Sequence, residues 1–429
     1  MNKMNKEKHS KRNLSCGFCG RSKKAVGNLI AGMDGSHICG RCLGEGSVML
    51  AEHSNKNRFR GNKLPHPDEI NKFLDRFVIG QQEPKKSLSV AVYNHYLRIQ
   101  GQRINNKVTL GKSNILLIGK TGCGKTLLAQ TLAKILDVPL VVTDATSLSE
   151  TGYVGDDVES LLSKLIEKSD GDVDKAARGI IYLDEIDKIH RVGGSSSHNR
   201  DISGEGVQQS LLKIIEGSVL KVPVGNKRHS QKTVSIDTSN ILFICGGAFE
   251  GLSEHISKRI NKRTIGFNNH ESEIEKNMND NILSHVNNDD LVKFGMIPEL
   301  LGRLPIVSVL HPLSVDNLKS VFSDTDDSLS KQFIEIFAMQ NVKLVFSDDA
   351  VTEIAKRAFE MKNGARSLRA LVEACLLNTM YEMPGKGNYD TVTVTADSFD
   401  TGKLIIKKKS SKKSAKKLTT NNITKNTVV

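Results

Sequence analysis

The stretch GKTGCGKT, Gly119 to Thr126, decides the fold of this chain. It directly follows NILLI, Asn114 to Ile118, an apolar run with the length of a buried strand. The pattern is GxxxxGK[ST]. Its glycines let backbone N–H groups wrap phosphate oxygens where the next helix begins. Gly119, Lys120, Thr121, Gly122, Cys123, Gly124, Lys125 and Thr126 therefore form a candidate phosphate cradle. Lys125 is expected to reach the β- and γ-phosphates, and the Thr126 hydroxyl to bind Mg²⁺.

Such a cradle needs an acidic partner, and GIIYLDEID supplies one. Four apolar residues form a strand and deliver Asp184 and Glu185 at its carboxyl end. Open α/β sheets bind ligands at that end of their strands. Asp184 is expected to hold Mg²⁺, directly or through water. Glu185 is expected to position and polarise an attacking water, which points to ATP hydrolysis rather than binding alone. Asp187 reads as a cap or an ion-pair partner. The transition state also needs positive charge. Arg303, in GRLP, could supply it from a neighbouring subunit, and Arg366, in NGARSLR, in cis. Read alone, each arginine is equally a surface ion-pair residue.

The surrounding pattern gives the organisation. LVVTDA, NILFICGG and PIVSVL are further strand-like runs, separated by helical stretches as βαβ connections require. The expected fold class is α/β, with a large domain over residues 65–313 and a smaller, mainly helical domain over 314–400. Residues 53–64 read as a polar linker and residues 401–429 as a Lys-rich disordered tail.

Residues 13–52 hold Cys16-x-x-Cys19 and, after nineteen intervening residues, Cys39-x-x-Cys42. This is the spacing of a four-thiolate zinc site. So short a segment cannot build a sufficient apolar core, and the metal would supply the fold. Four protein ligands leave no open position, so the site would be structural. Paired disulfides or a redox CxxC are the rival readings. Cys123, Cys245 and Cys375 stand apart and read as packed thiols.

The 429 residues carry a net charge of +13, but the excess sits at the two ends. Residues 1–12 contribute +4 and the residues after Gly402 contribute +9, so the body between them is balanced. A nucleic-acid-binding domain wants a basic face on its folded part. No apolar run approaches the ~18 residues of a membrane span, and the start lacks an apolar signal core. The expectation is a cytoplasmic protein with no membrane contact and a solvated tail.

DRFVIGQQEPKKSLSVAVYNHY, GKTGCGKT, GYVGDDVES, IIYLDEIDKI, RDISGEGVQQSLLKIIEG, LFICGGAF, FGMIPELLGRLP and GARSLR follow the zinc knuckles in one order. This series resembles the ClpX family of AAA+ protein unfoldases, from about Cys16 to Pro384. The resemblance implies an AAA+ P-loop ATPase with an N-terminal treble-clef-like zinc-binding domain. It implies a homohexameric ring, a ClpP-type peptidase as partner, protein substrates with degradation tags, and adaptors recruited by the zinc domain. By the same resemblance Val78 and Ile79 line an adenine pocket, Arg303 is a trans-acting finger and Arg366 a sensor arginine. Tyr153 and Val154, in GYVG, match a pore loop that grips substrate. The stretch around Ser196 to Asp201 matches a second pore loop, and Lys227, Arg228 and His229 an entrance loop with its order changed. Ile265, Gly266 and Phe267 match the peptidase-docking tripeptide, although Asn268 and Asn269 depart from the family pattern after it. The implied cofactors are ATP, Mg²⁺ and Zn²⁺.

A nucleic-acid-remodelling ATPase is the alternative from another class, and the balanced body and aromatic loop weigh against it. A chaperone working without a peptidase is the other. No protease constellation is visible in the chain itself.

Overall fold

The computed structural model describes residues 15–32, 36–46, 64–102, 111–149, 156–190, 204–224, 232–261, 282–386 and 389–408. The chain divides into two compact units, Met1–Leu64 and Pro65–Val429.

The first unit is small and nearly coreless. A single-turn helix (α1, Lys23–Val26) precedes two antiparallel strands, β1 (Leu29–Ala31) and β2 (His37–Cys39). Cys16 and Cys39 are the buried side chains among its described residues, while Phe18 stays 79% exposed. Among the described residues no apolar cluster holds these strands together.

The second unit is built on a five-stranded sheet. Its strands are β3 (Ile115–Ile118), β4 (Leu140–Asp144), β5 (Ile180–Asp184), β6 (Leu242–Gly247) and β7 (Ile306–Val309). The spatial order is β7-β3-β6-β5-β4, and every pairing is parallel. Strands β3 and β6 are buried along their whole length. Both faces are covered, which is why the strands read as continuous apolar runs rather than alternating ones. In register, Cys245 of β6 faces Leu116 of β3 on one side and Leu183 of β5 on the other. The carboxyl ends of β3, β5 and β6 therefore finish side by side, and the loops leaving them converge.

Helices Pro67–Asp75 and Gln82–Gln102 open this unit. The functional connections are α2 (Lys125–Leu136), which leaves the glycine loop, α3 (Glu205–Glu216), α4 (Asn288–Phe294) and α5 (Pro298–Gly302). A hairpin pairs Val219–Val224 with Lys232–Asp237. The turn after that hairpin, Thr238–Asn240, is ringed by basic groups. His95 Nε2 donates to the Asn240 carbonyl at 3.0 Å, Arg98 to the Ser239 carbonyl at 2.8 Å and Lys112 to the Thr238 carbonyl at 2.9 Å. Burial, with Arg98 beside it, pulls the Lys112 ammonium down to about 7.

A second apolar cluster gathers Leu318, Phe322, Phe333, Phe337, Ile354 and Val372. Four helices surround it, the last being α6 (Arg366–Lys386). A three-stranded sheet completes it, with Lys343–Phe346 parallel and Ile405–Lys408 antiparallel to the central Tyr389–Val394. The last strand corrects the expected tail. Residues 405–408 were expected among the disordered residues 401–429, yet they pair with Tyr389–Val394. The lysines that follow dominate the composition there, and Ile405 and Ile406 are too short an apolar signal to stand out. Residues 409–429 lie outside the described residues.

Candidate functional site

The glycine loop turns sharply out of β3 and starts α2 with Gly124 at φ +103°. Lys125 is buried and donates to the Gly119 and Lys120 carbonyls of its own loop. The next residue reaches across to β5: the Thr126 hydroxyl donates to Asp184 Oδ2 at 3.1 Å. The other carboxylate oxygen accepts from the Tyr182 hydroxyl at 3.2 Å and the Glu185 N–H at 3.0 Å. A hydroxyl and a carboxylate this close are a hard-oxygen pair, the donor chemistry that Mg²⁺ takes. Glu185 stands at φ +56°, ψ +33°. A non-glycine residue held in the left-handed region costs on the order of 1–3 kcal/mol and marks a place where the fold imposes a direction.

A cleft of about 400 Å³ opens over these groups. Thr121, Gly122, Lys125, Thr126, Asp184 and Glu185 line it, together with Ala248 and Glu250 after β6 and Arg366 from the start of α6. Arg366 arrives there because two backbones touch. A Cβ on Gly122 would stand 2.2 Å from the Asn363 carbonyl oxygen, and the Ala365 N–H donates to the Gly122 carbonyl at 3.2 Å. With Gly122 also at φ +78°, no other residue fits. The turn before α6 is thus seated directly on the phosphate loop.

Val78 is buried, with a methyl 3.8 Å from where a Cβ on Gly124 would lie, and Ile79 is half-buried beside it. The segment is tethered by Gln81, whose amide bonds the His311 N–H at 2.9 Å and carbonyl at 2.7 Å. Arg303 is placed elsewhere. It follows α5, is more than half exposed, and pairs through Nε with Glu216 at 3.0 Å. The structure thus shows Arg303 as a surface ion-pair residue with a guanidinium that is still more than half exposed.

Asp187, read from the sequence as a cap or an ion-pair partner, accepts hydrogen bonds from backbone far along the chain. It is buried and lines the cleft, and its carboxylate accepts from the Ala248 and Phe249 N–H groups at 3.2 and 3.1 Å. It fastens the turn after β5 to the loop after β6. No local pattern signals this, because the partners lie some sixty residues away. Burial raises the Cys123 thiol and raises Cys245 to about 12, consistent with packed thiols.

In the first unit the sulfur atoms of Cys16, Cys19, Cys39 and Cys42 all lie within 4.8 Å of one another. Cys19 and Cys39 are 3.9 Å apart. Four thiolates at about 2.3 Å from one tetrahedral ion stand about 3.8 Å apart, so the set fits zinc. Backbone N–H groups of Cys19 and Cys39 lower the Cys16 thiol to about 6, while the side-chain hydrogen bond with Cys39, burial and the other cysteines raise Cys42 to about 12: four thiols this close cannot all ionise without a cation among them.

Tyr153 and Val154, the stretch around Ser196 to Asp201, Lys227, Arg228 and His229, and Ile265, Gly266 and Phe267 lie outside the described residues. Among the described residues no helix is long and apolar enough to cross a membrane.

Comparison with known proteins agrees with this geometry along the chain. Residues 14–52 match the ClpX C4-type zinc finger, residues 111–307 the AAA domain of the Cdc48 subfamily, and residues 313–395 the C-terminal D2-small domain of ClpB protein. The ATP-dependent Clp protease ATP-binding subunit ClpX of Bacteroides thetaiotaomicron is 45% identical over 388 residues, 88% of this chain and 93% of that protein. The subunit of the same name from Bacteroides fragilis is 44% identical over 382 residues, 86% of this chain and 91% of that protein. Zinc, ATP and Mg²⁺ are the cofactors of this architecture. The chain belongs to the ClpX family and is an AAA+ ATPase of the Clp protease system, not itself a protease.

Proposed function

We propose that this chain is an ATP-dependent protein unfoldase that works as a homohexameric ring in the cytoplasm. It threads tagged proteins through its axial pore into a ClpP-type peptidase, and remodels proteins when no peptidase is attached. The observation that carries the reading is the contact between Gly122 and the Asn363–Ala365 turn. The phosphate loop touches the turn before α6, the last of the four helices around the smaller core, so a change at the phosphates has a direct path to that core. A motor requires this linkage.

The glycine-loop N–H groups and Lys125 would hold the phosphates, Thr126 and Asp184 the Mg²⁺, and Val78 and Ile79 the adenine. Mg²⁺ supplies neutralisation of charge on the phosphate oxygens when bound. Glu185 would orient a water and take up its proton as the water oxygen attacks the terminal phosphorus and the bond from that phosphorus to the bridging oxygen breaks, releasing ADP and phosphate. Arg366 would meet the departing negative charge in cis, and the neighbour's copy of Arg303 would meet it in trans. Tyr153 and Val154 would grip the substrate by bulk and apolar area. The loop with Lys227, Arg228 and His229 would admit tags, Ile265, Gly266 and Phe267 would dock the peptidase, and the zinc unit would recruit adaptors.

The test is a folded fluorescent protein with a C-terminal degradation tag, mixed with ATP, this chain and a ClpP-type peptidase. Wild type should extinguish the fluorescence. Tyr153→Ala should leave it intact while still hydrolysing ATP. A wild type that hydrolyses ATP vigorously yet unfolds no tagged protein would overturn the reading.

A further inference from the structure

Three elements of the second unit meet on one buried amide. Gln208, in the first turn of α3, is fully buried. Its Nε2 donates to the Ile189 carbonyl at 2.8 Å and to the Gly295 carbonyl at 3.3 Å. Its Oε1 accepts from the Ile297 N–H at 2.9 Å. Two carbonyls that only accept, and one N–H that only donates, fix the orientation of the amide.

The three partners have separate duties. Ile189 ends the short helical turn that begins next to Glu185. Gly295 caps α4, and Ile297 is the residue before α5, which runs straight into Arg303. The surroundings are packed as well: the Phe294 ring lies 5.0 Å from His190 and 5.2 Å from Phe249. A shift of the Ile189 carbonyl therefore has two outcomes. It breaks a buried hydrogen bond and strands polar groups away from water, or it carries Gly295 and Ile297 along. The second course avoids the desolvation penalty.

We propose that Gln208 is a positioning residue that couples a subunit's own hydrolytic site, through the Glu185 turn, to its neighbour's site, through Arg303. The proposal rests on the reading of Arg303 as acting across a subunit boundary. Glu185 serves one nucleotide and Arg303 the next, so a rigid link between them makes successive sites respond to each other. Contiguous hydrogen-bonded contacts of this kind can transmit such coupling where the linked elements have two arrangements.

The decisive variant is Gln208→Met, which keeps the length of the side chain and removes all three hydrogen bonds. ATPase rate against ATP concentration is measured on assembled rings, with circular dichroism and size-exclusion chromatography as controls. The expected result is a Hill coefficient that falls to unity, with kcat lowered about tenfold by a misplaced arginine. An assembled Gln208→Met ring with wild-type cooperativity overturns the proposal, and so does a wild-type ring that shows no cooperativity. Should the variant fail to assemble, hydrogen exchange is followed in the Arg303→Ala ring, where direct contact with the neighbour's nucleotide is removed. A non-hydrolysable ATP analogue should still change exchange at Ile297, and unchanged exchange overturns the coupling. Full ATPase activity in Arg303→Ala would instead sink the trans-acting reading of Arg303 on which the proposal stands.

Discussion

The zinc unit and the central sheet solve the same problem by opposite means. Among the described residues of the first unit, 15–32 and 36–46, only Cys16 and Cys39 are buried, and the two short strands rest on no apolar core there. The sheet β3–β7 buries whole strands and joins a cluster that includes Leu116, Ile118, Leu183, Phe243 and Leu300. In the first, four sulfur atoms hold the fold at one point. In the second, hold is spread over dozens of side chains, and single polar groups tune it. Perturbations should therefore be all-or-none in one unit and graded in the other.

The sharpest way to break the comparison is to remove the metal. Structural zinc contributes on the order of 10–16 kcal/mol to a unit of this kind. A strong chelator should abolish hydrogen-exchange protection across residues 15–46 and leave the sheet peptides at their original rates. Protection that survives after elemental analysis shows the zinc gone would mean that the unit has a core of its own. The same protein should still hydrolyse ATP, since none of the residues around the cleft belongs to the first unit.

Asp187 gives the next effect. Asp187→Ala strands the Ala248 and Phe249 N–H groups in a buried site. Each buried group left unpaired costs about 1–3 kcal/mol. For the two groups together, denaturant unfolding of the sheet unit should shift by about 2–6 kcal/mol, and ATPase activity should fall because the variant also frees the Glu185 turn. A shift of a few tenths would show that water replaces the carboxylate at no cost.

His95 tests the graded behaviour through pH. Burial, with the Arg98 charge next to it, pulls its imidazole down to about 3, while an exposed histidine titrates near 6.5. Above pH 6.5 both folded and unfolded chains hold it neutral, so it adds no pH dependence. Below that, the unfolded chain takes up the proton first, and stability falls as pH drops from 6.5 toward 3. The slope approaches about 1.4 kcal/mol per pH unit for one proton. His95→Gln should flatten the acid limb of the stability profile by that slope. An unchanged limb would assign acid loss to other groups.

The two units also differed in how much could be read from the sequence. The zinc ligands were legible because metal geometry constrains spacing, and Cys16, Cys19, Cys39 and Cys42 converge as the pattern required. The phosphate loop and Asp184 were legible because strand, glycine and acid fall in fixed local order. Asp187 and Gln208 were not, since their partners lie about twenty to ninety residues away and nothing near them marks a buried hydrogen bond. The strand at Ile405–Lys408 was hidden by its lysines, whose side chains project from a backbone that nonetheless pairs. Chemistry fixed by local spacing can be read from a sequence. Polar groups satisfied across the fold must be seen.

The smallest effect concerns Arg303 and Glu216, and it separates stability from function. Their side chains are 54% and 45% exposed, so the pair contributes only about 0.2–1 kcal/mol to the fold. Glu216→Ala should scarcely move the unfolding midpoint. Yet Glu216 holds the guanidinium through Nε and Nη2, and under the proposal that Arg303 acts on a neighbour's nucleotide it has to leave or share that carboxylate. Removing Glu216 takes away both a competitor and a guide. If competition dominates, the variant hydrolyses ATP at or above the wild-type rate, with a weaker dependence on salt. If guidance dominates, kcat falls while the affinity for ATP stays the same, because only the neighbour's arginine is displaced. Steady-state ATPase at two ionic strengths distinguishes them. Loss of fold in Glu216→Ala would contradict both, because an exposed ion pair cannot carry the stability of a core this extensive.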